Sequence, residues 1–190
     1  MDQKTEIEII IRVLKGDKQA FAMLVEEYKT PIYNLAYRMT RNSADAEDLA
    51  QDTFFRSFNQ LSHYDTTRSF YTWLYTISLN LIRNHLKKTG RRRQTNFYQR
   101  EVPSDVLASD KESEALRETA ERDEQLKEKV EKLENCLHKL SPEIRELLVL
   151  RFYQGLSFEA IAEITGLSQS AVKMRVYRGL EKLQKDFETM

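Results

Sequence analysis

Segment 156–183 constrains the fold more than any other part of this 190-residue chain. Its pattern predicts a short helix, a tight turn at Gly166 and a longer basic helix, which together make a helix-turn-helix. Ser157 and Ser168 stand where a hydroxyl caps the first turn of a helix, and Gly166 suits the positive φ at which a helix ends. Such a unit presents its second helix to the major groove of duplex DNA.

The second helix of this unit has two distinct faces. Spacings of four, four and three residues predict an inward apolar face made of Val172, Val176, Leu180 and Leu183. The opposite face carries polar, basic and aromatic side chains of the kinds that contact base edges. These candidates are Gln169, Ser170, Lys173, Met174, Tyr177 and Arg178. The alternative is an ordinary amphipathic helix pair in a bundle.

Glycine and proline are scarce elsewhere, and the apolar periodicity favours helix along most of the chain. The pattern predicts a first helix around 9–14 that breaks at Gly16, and a second that ends before Pro31, where a third begins. Residues 41–43 are expected to form a polar turn with cap candidates, and Asp45 to Asp48 the first turn of a helix that runs to about Leu61. A further helix is expected over 70–88. We therefore expect an all-α protein.

The charge pattern divides the chain into two domains. Residues 94–122 show little apolar periodicity, and 101–134 hold twelve acidic against six basic residues. We expect two small helical domains, 1–93 and 123–190, joined by the acidic flexible linker 94–122. In the second domain, spacings of four, three, four and three predict one buried helix face, formed by Leu126, Val130, Leu133, Leu137 and Leu140. Ser141 is expected to cap the next helix and Pro142 to start it.

The total charge is neutral, but the distribution is not. Residues 63–93 hold seven basic residues against one acidic residue, which favours an anionic partner for this part. Cys136 is the only cysteine, so an intramolecular disulfide is excluded and a reduced compartment is favoured. We see no signal peptide and no apolar run near the roughly 18 residues of a membrane span, and therefore expect a cytoplasmic protein.

No metal site or cofactor is expected. Cys136 and His138 stand two positions apart, and on a helix such side chains point about 200° away from each other. A core cysteine and a surface histidine are expected instead.

Aromatic and basic residues occur together over 64–88. Rings beside cations and amides suit single-stranded nucleic acid, because bases stack on rings while cations follow the phosphates. We expect Phe70 and Trp73 to belong to the core, and assign Asn80, Asn84 and the basic residues nearby to nucleic-acid binding.

A polar patch precedes this segment. Asp48, Gln51 and Asp52 lie within two turns of one predicted helix. Paired carboxylates serve acid–base catalysis or hold metals, but no histidine is near in sequence and the spacing is not that of a ligand set. A solvated helix face and a protein-binding patch both stay open from the residues alone.

Together these features resemble the bacterial extracytoplasmic-function sigma factors, the smallest class of sigma-70-type promoter-recognition subunits of RNA polymerase. Three motifs occur in the order of that family, followed by the helix-turn-helix: Asp45-Ala-Glu-Asp-Leu-Ala-Gln-Asp-Thr-Phe, Phe70-Tyr-Thr-Trp-Leu-Tyr and Leu140-Ser-Pro-Glu-Ile-Arg-Glu. The resemblance covers nearly the whole chain. It implies that 1–93 is sigma region two, a helical bundle, and 123–190 is region four.

The resemblance also implies roles for the candidate residues. Asp48, Gln51 and Asp52 would dock on the clamp helices of the largest polymerase subunit. The loop before the helix at 70–88 would accept a flipped base of the −10 element, and that helix would follow the opened strand. The implied −10 residues are Tyr64, Arg68, Ser69, Asn80, Arg83, Asn84, Lys87 and Lys88, with the arginines at 91–93 on phosphates. The outward face of the last helix would read the −35 duplex.

The implied partners are core RNA polymerase, promoter DNA and an anti-sigma factor, without a small-molecule substrate or membrane insertion. The polymerase would supply the chemistry, so we expect no catalytic residues in this chain. One alternative is a stand-alone helix-turn-helix regulator, which leaves the polar patch and the 70–88 segment without a role. Another is an enzyme with a carboxylate site at 47–52, for which no nearby histidine, cysteine or glycine-rich signature is present.

Overall fold

The computed structural model describes the backbone of residues 1–95 and 114–189 and the side chains of 1–90, 124 and 126–189. Within these residues the regular structure is helical, which confirms the all-α prediction. The helices are α1 (Gln3–Leu14), α2 (Phe21–Thr40), α3 (Ser43–Gln60), α4 (Phe70–Thr95), α5 (Glu114–Lys139), α6 (Pro142–Leu148), α7 (Phe158–Thr165) and α8 (Gln169–Glu188). Short 3-10 turns lie at Lys18–Ala20 and Leu61–His63, and a π-helical turn follows α6 at Val149–Tyr153.

The predicted break at Pro31 is wrong, because α2 runs through it without interruption. Leu24 and Tyr28 precede the proline and Ile32 and Leu35 follow it, and all four are buried on one face. Burial of this continuous apolar stripe outweighs the one intrahelical hydrogen bond that proline removes.

A turn at Arg41 and Asn42 separates α2 from α3. Arg41 ends α2 with a left-handed φ of 55°, and the Asn42 side chain accepts a hydrogen bond from the Asp45 backbone N–H at 3.1 Å. This cap fixes where α3 begins and therefore which of its side chains face outward. The first helix begins earlier than predicted, at Gln3. The Asp2 side chain caps it by accepting a hydrogen bond from the Thr5 N–H.

Helices α1 to α4 form the first domain. Its centre consists of fully buried side chains from α1, α2 and α4: Ile10, Leu24, Ile32, Leu35, Phe70, Leu74, Tyr75, Leu79 and Ile82. Helix α3 packs between α2 and α4. The face of α3 opposite to these neighbours is left to solvent.

The second domain is made by the end of α5 together with α6, α7 and α8. Val172 and Val176 of α8 are 0% and 1% exposed, while Leu180 and Leu183 are half-buried, so the predicted inward face of α8 is confirmed. Gly179 brings α8 close to α6, since a Cβ there would lie 2.6 Å from Ile144 Cγ2.

The predicted buried face of α5 is correct only for its C-terminal part. Leu137 and Leu140 are each 2% exposed, whereas Leu126 and Val130 are 60% and 48% exposed. Lys132 lies over the ring of Phe187 at the end of α8, at 4.7 Å. Leu126 and Val130 precede this contact with the end of α8 and stay exposed.

The linker prediction, 94–122, falls mostly outside the described residues. At its edges the structure differs from it, because α4 continues to Thr95 and α5 already begins at Glu114. Among the described residues, none of the helices has the continuous apolar length that spanning a bilayer requires.

The two domains contact each other directly, through α2 and α4 on one side and α6, α7 and the π-helical turn on the other. Buried Arg145 donates to the Met39 carbonyl of α2 at 3.0 Å and to the Leu140 carbonyl at 3.1 Å. Gln154 accepts from the Tyr75 hydroxyl at 2.8 Å and donates to the Pro31 carbonyl at 3.3 Å. The bonds to Met39, Tyr75 and Pro31 join residues more than 75 positions apart in sequence.

Candidate polymerase and nucleic-acid interfaces

Helix α3 presents the polar patch found in the sequence. Asp48, Gln51 and Asp52 are all exposed, and their spacing of three and four places them on one face of the helix. The opposite face is buried in the first domain through Ala46, Leu49, Ala50, Thr53 and Phe54. The patch is therefore held on a rigid element and open to a partner.

Phe55 belongs to the same patch and was missed from the sequence. Its side chain is 68% exposed, and it stands three and four positions after Asp52 and Gln51. The Phe54-Phe55 pair looks like core, yet only Phe54 falls on the buried stripe of α3, since successive residues on a helix are about 100° apart. Aromatic side chains are enriched at the centres of protein–protein interfaces, so Phe55 adds to the case for a protein-binding patch.

The loop before α4 is organised by its own hydrogen bonds. The Asp65 carboxylate accepts from the Thr67 N–H at 3.0 Å and from the Thr67 hydroxyl at 2.7 Å, and these bonds lower the pKa of Asp65. Arg68 is exposed and lies 3.8 Å from Asp65, and Ser69 is half-buried at the start of α4.

Tyr64 does not fit the predicted direct contact with a base. It is 8% exposed, its hydroxyl donates to the Arg68 carbonyl, and its ring packs on Phe70 and Trp73 at centroid distances of 5.6 and 5.2 Å. Burial raises the pKa of Tyr64 to about 12. Because the ring is already packed on both neighbours, Tyr64 fixes the loop instead. Phe70 is fully buried, as expected, while Trp73 covers it from a half-buried position.

The outward face of α4 carries most of the predicted −10 residues. Four of them are exposed: Asn80, Asn84, Lys87 and Lys88. The side chains at 91–93 lie outside the described residues. Arg83 is only half-exposed, because its guanidinium pairs with Glu146 of α6 through Nε at 2.9 Å and Nη2 at 2.5 Å. The structure thus places Arg83 in the contact between the domains.

The helix-turn-helix has the predicted local geometry. Ser157 and Ser168 accept from the backbone N–H groups of Ala160 and Ala171 at 3.1 and 3.2 Å, and Gly166 has a φ of 72°. Ser141, in contrast, precedes α6 without a side-chain cap bond, although Pro142 does begin that helix. All six predicted −35 residues on α8 are exposed, including Met174 at 47% and Tyr177 at 58%.

Phe158 of α7 supports the reading face of α8. Its ring lies 6.4 Å from the Tyr177 ring, and the Lys173 ammonium stands 5.7 Å from its centroid. The Arg151 guanidinium lies 4.7 Å from the same ring and donates to the Leu156 carbonyl at 2.7 Å. Sequence reasoning missed Phe158 and Arg151, because their contacts join three different segments.

Cys136 and His138 belong to no cluster of three or more His, Cys, Asp or Glu side chains in the described part of the chain. Cys136 is fully buried, as expected. His138 is half-buried rather than on the surface, and burial, with the nearby Arg145 charge, lowers its pKa to about 3.

Comparison with known proteins assigns both domains. The sequence model of the family Sigma-70 region 2 matches residues 24–92, and that of the family Sigma-70, region 4 matches residues 130–183. The RNA polymerase sigma-H factor of Pseudomonas aeruginosa is 32% identical over 100% of this chain and 97% of its own length. The ECF RNA polymerase sigma factor SigW of Bacillus subtilis is 32% identical over 95% of this chain and 96% of its own length. The chain belongs to the ECF sigma factors.

Solved structures agree with this family. CnrH, in complex with the cytosolic domain of CnrY, superposes with a TM-score of 0.68 at 25% identity, over 95% of this chain and 96% of CnrH. The sigma factor RpoE of Bartonella quintana, in complex with the anti-sigma factor NepR, shares the fold with a TM-score of 0.67 at 23% identity, over 88% of this chain and 96% of RpoE. Helices α1 to α4 therefore contain region 2, and α5 to α8 contain region 4.

Proposed function

We propose that this sigma factor binds core RNA polymerase and directs promoter-specific initiation, with region 2 holding the opened −10 strand and region 4 reading the −35 duplex. One observation carries the proposal. A single chain of this family presents three separate exposed faces on rigid helices: the α3 patch, the outward face of α4 and the reading face of α8. A stand-alone regulator needs only the last of them.

The α3 patch is proposed to dock on the clamp helices of the largest polymerase subunit. Asp48, Gln51 and Asp52 supply carboxylates and an amide for hydrogen bonds, while Phe55 supplies apolar area. Burying a phenylalanine side chain contributes about 1.5–3 kcal/mol. Phe55 is therefore expected to act as the anchor of this interface, with the polar residues setting its orientation.

The −10 strand is proposed to lie along α4. Unpairing and unstacking a base costs a few kcal/mol, so an opened strand persists only where bases and phosphates are captured. Arg68 and Ser69 stand at the loop that Tyr64 fixes, where a flipped base would enter. The residues proposed to follow the strand are Asn80, Arg83, Asn84, Lys87 and Lys88.

The −35 element is proposed to be read by the six exposed residues of α8. Lys173 and Arg178 have the donors that suit guanine edges or phosphates, and Gln169 suits adenine. The Phe158 ring contacts Lys173 and Tyr177 from behind, and Arg151 contacts that ring, which limits the motion of both side chains before DNA binds.

The polymerase supplies the chemistry, so the proposed role requires neither a cofactor nor a catalytic residue from this chain. We place its action in the cytoplasm, beside its polymerase. An anti-sigma factor is the proposed regulator, since the neighbouring RpoE of Bartonella quintana was solved with one.

Binding of the full chain to purified core polymerase, measured by fluorescence titration, tests the first step. Asp48→Ala and Phe55→Ala should each weaken binding by about tenfold or more, since central interface residues carry most of the binding energy. Glu8→Ala removes an exposed carboxylate from α1, away from the patch, and is the matched control. Equal affinity for all of these variants would contradict the docking surface.

A further inference from the structure

Arg83 lies on the proposed nucleic-acid face of α4, but region 4 already occupies it. Both oxygens of the Glu146 carboxylate accept from its guanidinium, at 2.9 and 2.5 Å. A two-point contact of this kind is also how arginine binds a phosphate. The Glu146 side chain is 5% exposed and that of Arg83 is 35% exposed, so this pair is shielded from water much more than an ordinary surface ion pair.

The pair is one of several polar contacts that hold the two regions together. Gln154 bridges the Tyr75 hydroxyl and the Pro31 carbonyl. Arg38 of α2 pairs with Glu134 of α5 at 2.8 Å and lies 3.6 Å from the centre of the Tyr153 ring. Contacts between domains that consist of such polar bonds are typical of interfaces that open and close.

The same contacts leave little room for a nucleic-acid strand at this point of α4. Helices α6 and α7 pack against region 2 there, with Glu146 at Arg83. While Glu146 holds the guanidinium, a strand that follows Asn80 and Asn84 cannot place a phosphate on the same two donors of Arg83. The −10 strand and Glu146 of α6 therefore compete for the guanidinium of Arg83.

We propose that Glu146 takes the place of a DNA phosphate on Arg83 in the free chain, so that regions 2 and 4 hold each other closed and the −10 face opens only when this pair breaks. The proposal rests on the function proposed above. Closure lowers the apparent affinity of the free protein for single-stranded DNA by the fraction of molecules that are open. Core polymerase, by taking the two regions apart, would remove this penalty.

The test measures binding of a fluorescent twenty-nucleotide oligo(dT) strand to the full chain without polymerase. Glu146→Gln keeps the shape of the side chain but removes its charge, and should bind the strand about five- to tenfold more tightly than wild type. Glu143→Gln is the matched control, since Glu143 is exposed on the same helix and acts on Arg83 by its charge, without a hydrogen bond between the two side chains. It should change binding less than twofold.

A second variant separates opening from the mere loss of a negative charge. Gln154→Ala removes the bridge to Tyr75 and Pro31 and leaves the charge unchanged. It should also tighten oligo(dT) binding, and small-angle scattering should give a larger radius of gyration for both Gln154→Ala and Glu146→Gln than for wild type. Circular dichroism melting confirms that each variant is folded.

The proposal is overturned if Glu146→Gln and Glu143→Gln bind the strand equally, or if neither interface variant expands. Transcription with core polymerase distinguishes a failure of the closed state from a failure of the proposed sigma function. If wild type and Glu146→Gln both initiate at promoters while strand binding is unchanged, the closed state is wrong and the sigma function stands. If neither initiates, the proposed function itself fails.

Discussion

Replacement of Gly179 by alanine tests the packing that positions the recognition helix. Gly179 is buried where α8 crosses α6, and a Cβ there would lie 2.6 Å from Ile144 Cγ2 and 3.3 Å from Leu148 Cδ1. The first distance is shorter than any real Cβ contact. The two helices therefore approach each other more closely than an alanine allows.

Two opposing effects set the size of the change. Alanine is more favourable than glycine in a helix interior by about 0.8–1 kcal/mol. Forcing an extra methyl group into a packed contact costs about 1–3 kcal/mol, and Leu148 is too buried to move away easily. Gly179→Ala is thus expected to lower the free energy of unfolding by about 0–2 kcal/mol.

Gly90→Ala is the matched control. Gly90 also lies in a helix, but the described part of the chain places no neighbouring atom within 4 Å of the position that a Cβ would take. This substitution should raise the free energy of unfolding by about 0.8–1 kcal/mol through helix propensity alone. Urea unfolding of both variants measures the difference, about 1–3 kcal/mol, which is the packing cost at Gly179. Combining Gly179→Ala with Ile144→Ala should recover part of that cost.

Equal stabilisation by Gly179→Ala and Gly90→Ala would refute the close approach of α6 and α8. If Gly179→Ala lowers the free energy of unfolding by the same amount with and without Ile144→Ala, the clash is not with the Ile144 side chain.

Two further predictions concern pH and DNA. Burial lowers the pKa of His138 to about 3, so only the unfolded chain takes up its proton below about pH 6.5, and wild type loses stability as the pH falls through that range. Urea unfolding at pH 7 and at pH 5 measures how much unfolding free energy each protein loses over this range. His138→Asn should lose about 1–2 kcal/mol less than wild type. Equal losses would argue against a buried neutral His138. In quantitative binding of the polymerase complex to promoter variants, Arg178→Ala should relax the −35 preference by about 1–3 kcal/mol at one base pair, whereas Lys87→Ala should weaken all promoters alike and lower the salt slope by about one. Losses that are equal and independent of sequence would contradict the two roles.

Local rules in the sequence predicted the helix-turn-helix well. Ser157, Gly166 and Ser168 act through hydrogen bonds and backbone angles within their own few residues, so their roles follow from sequence spacing. The two faces of α8 followed for the same reason, since one regular helix carries both.

Features that depend on distant segments were mispredicted or missed. The continuity of α2 through Pro31 depends on the core beneath it, and the exposure of Leu126 depends on where α8 ends. Tyr64 is aromatic and lies in the right loop, but its packing on Phe70 removes it from the surface. Phe55, in contrast, was predictable. It follows buried Phe54 by about 100° around the helix, which indicates that it is exposed.

The contact between the regions had no signal in the sequence. Arg83 and Glu146 are 63 positions apart, and each has an ordinary place on an amphipathic helix. Only the fold shows that they meet, and that a residue expected to bind DNA is paired within the protein.

Run-off transcription with purified core polymerase tests the central claim most directly. Wild type and Glu8→Ala should give promoter-directed transcripts from genomic templates of the host, while Asp48→Ala and Gln51→Ala should give strongly reduced amounts of the same transcripts. Absence of any promoter-directed transcript with the wild-type chain would contradict its role as a sigma factor.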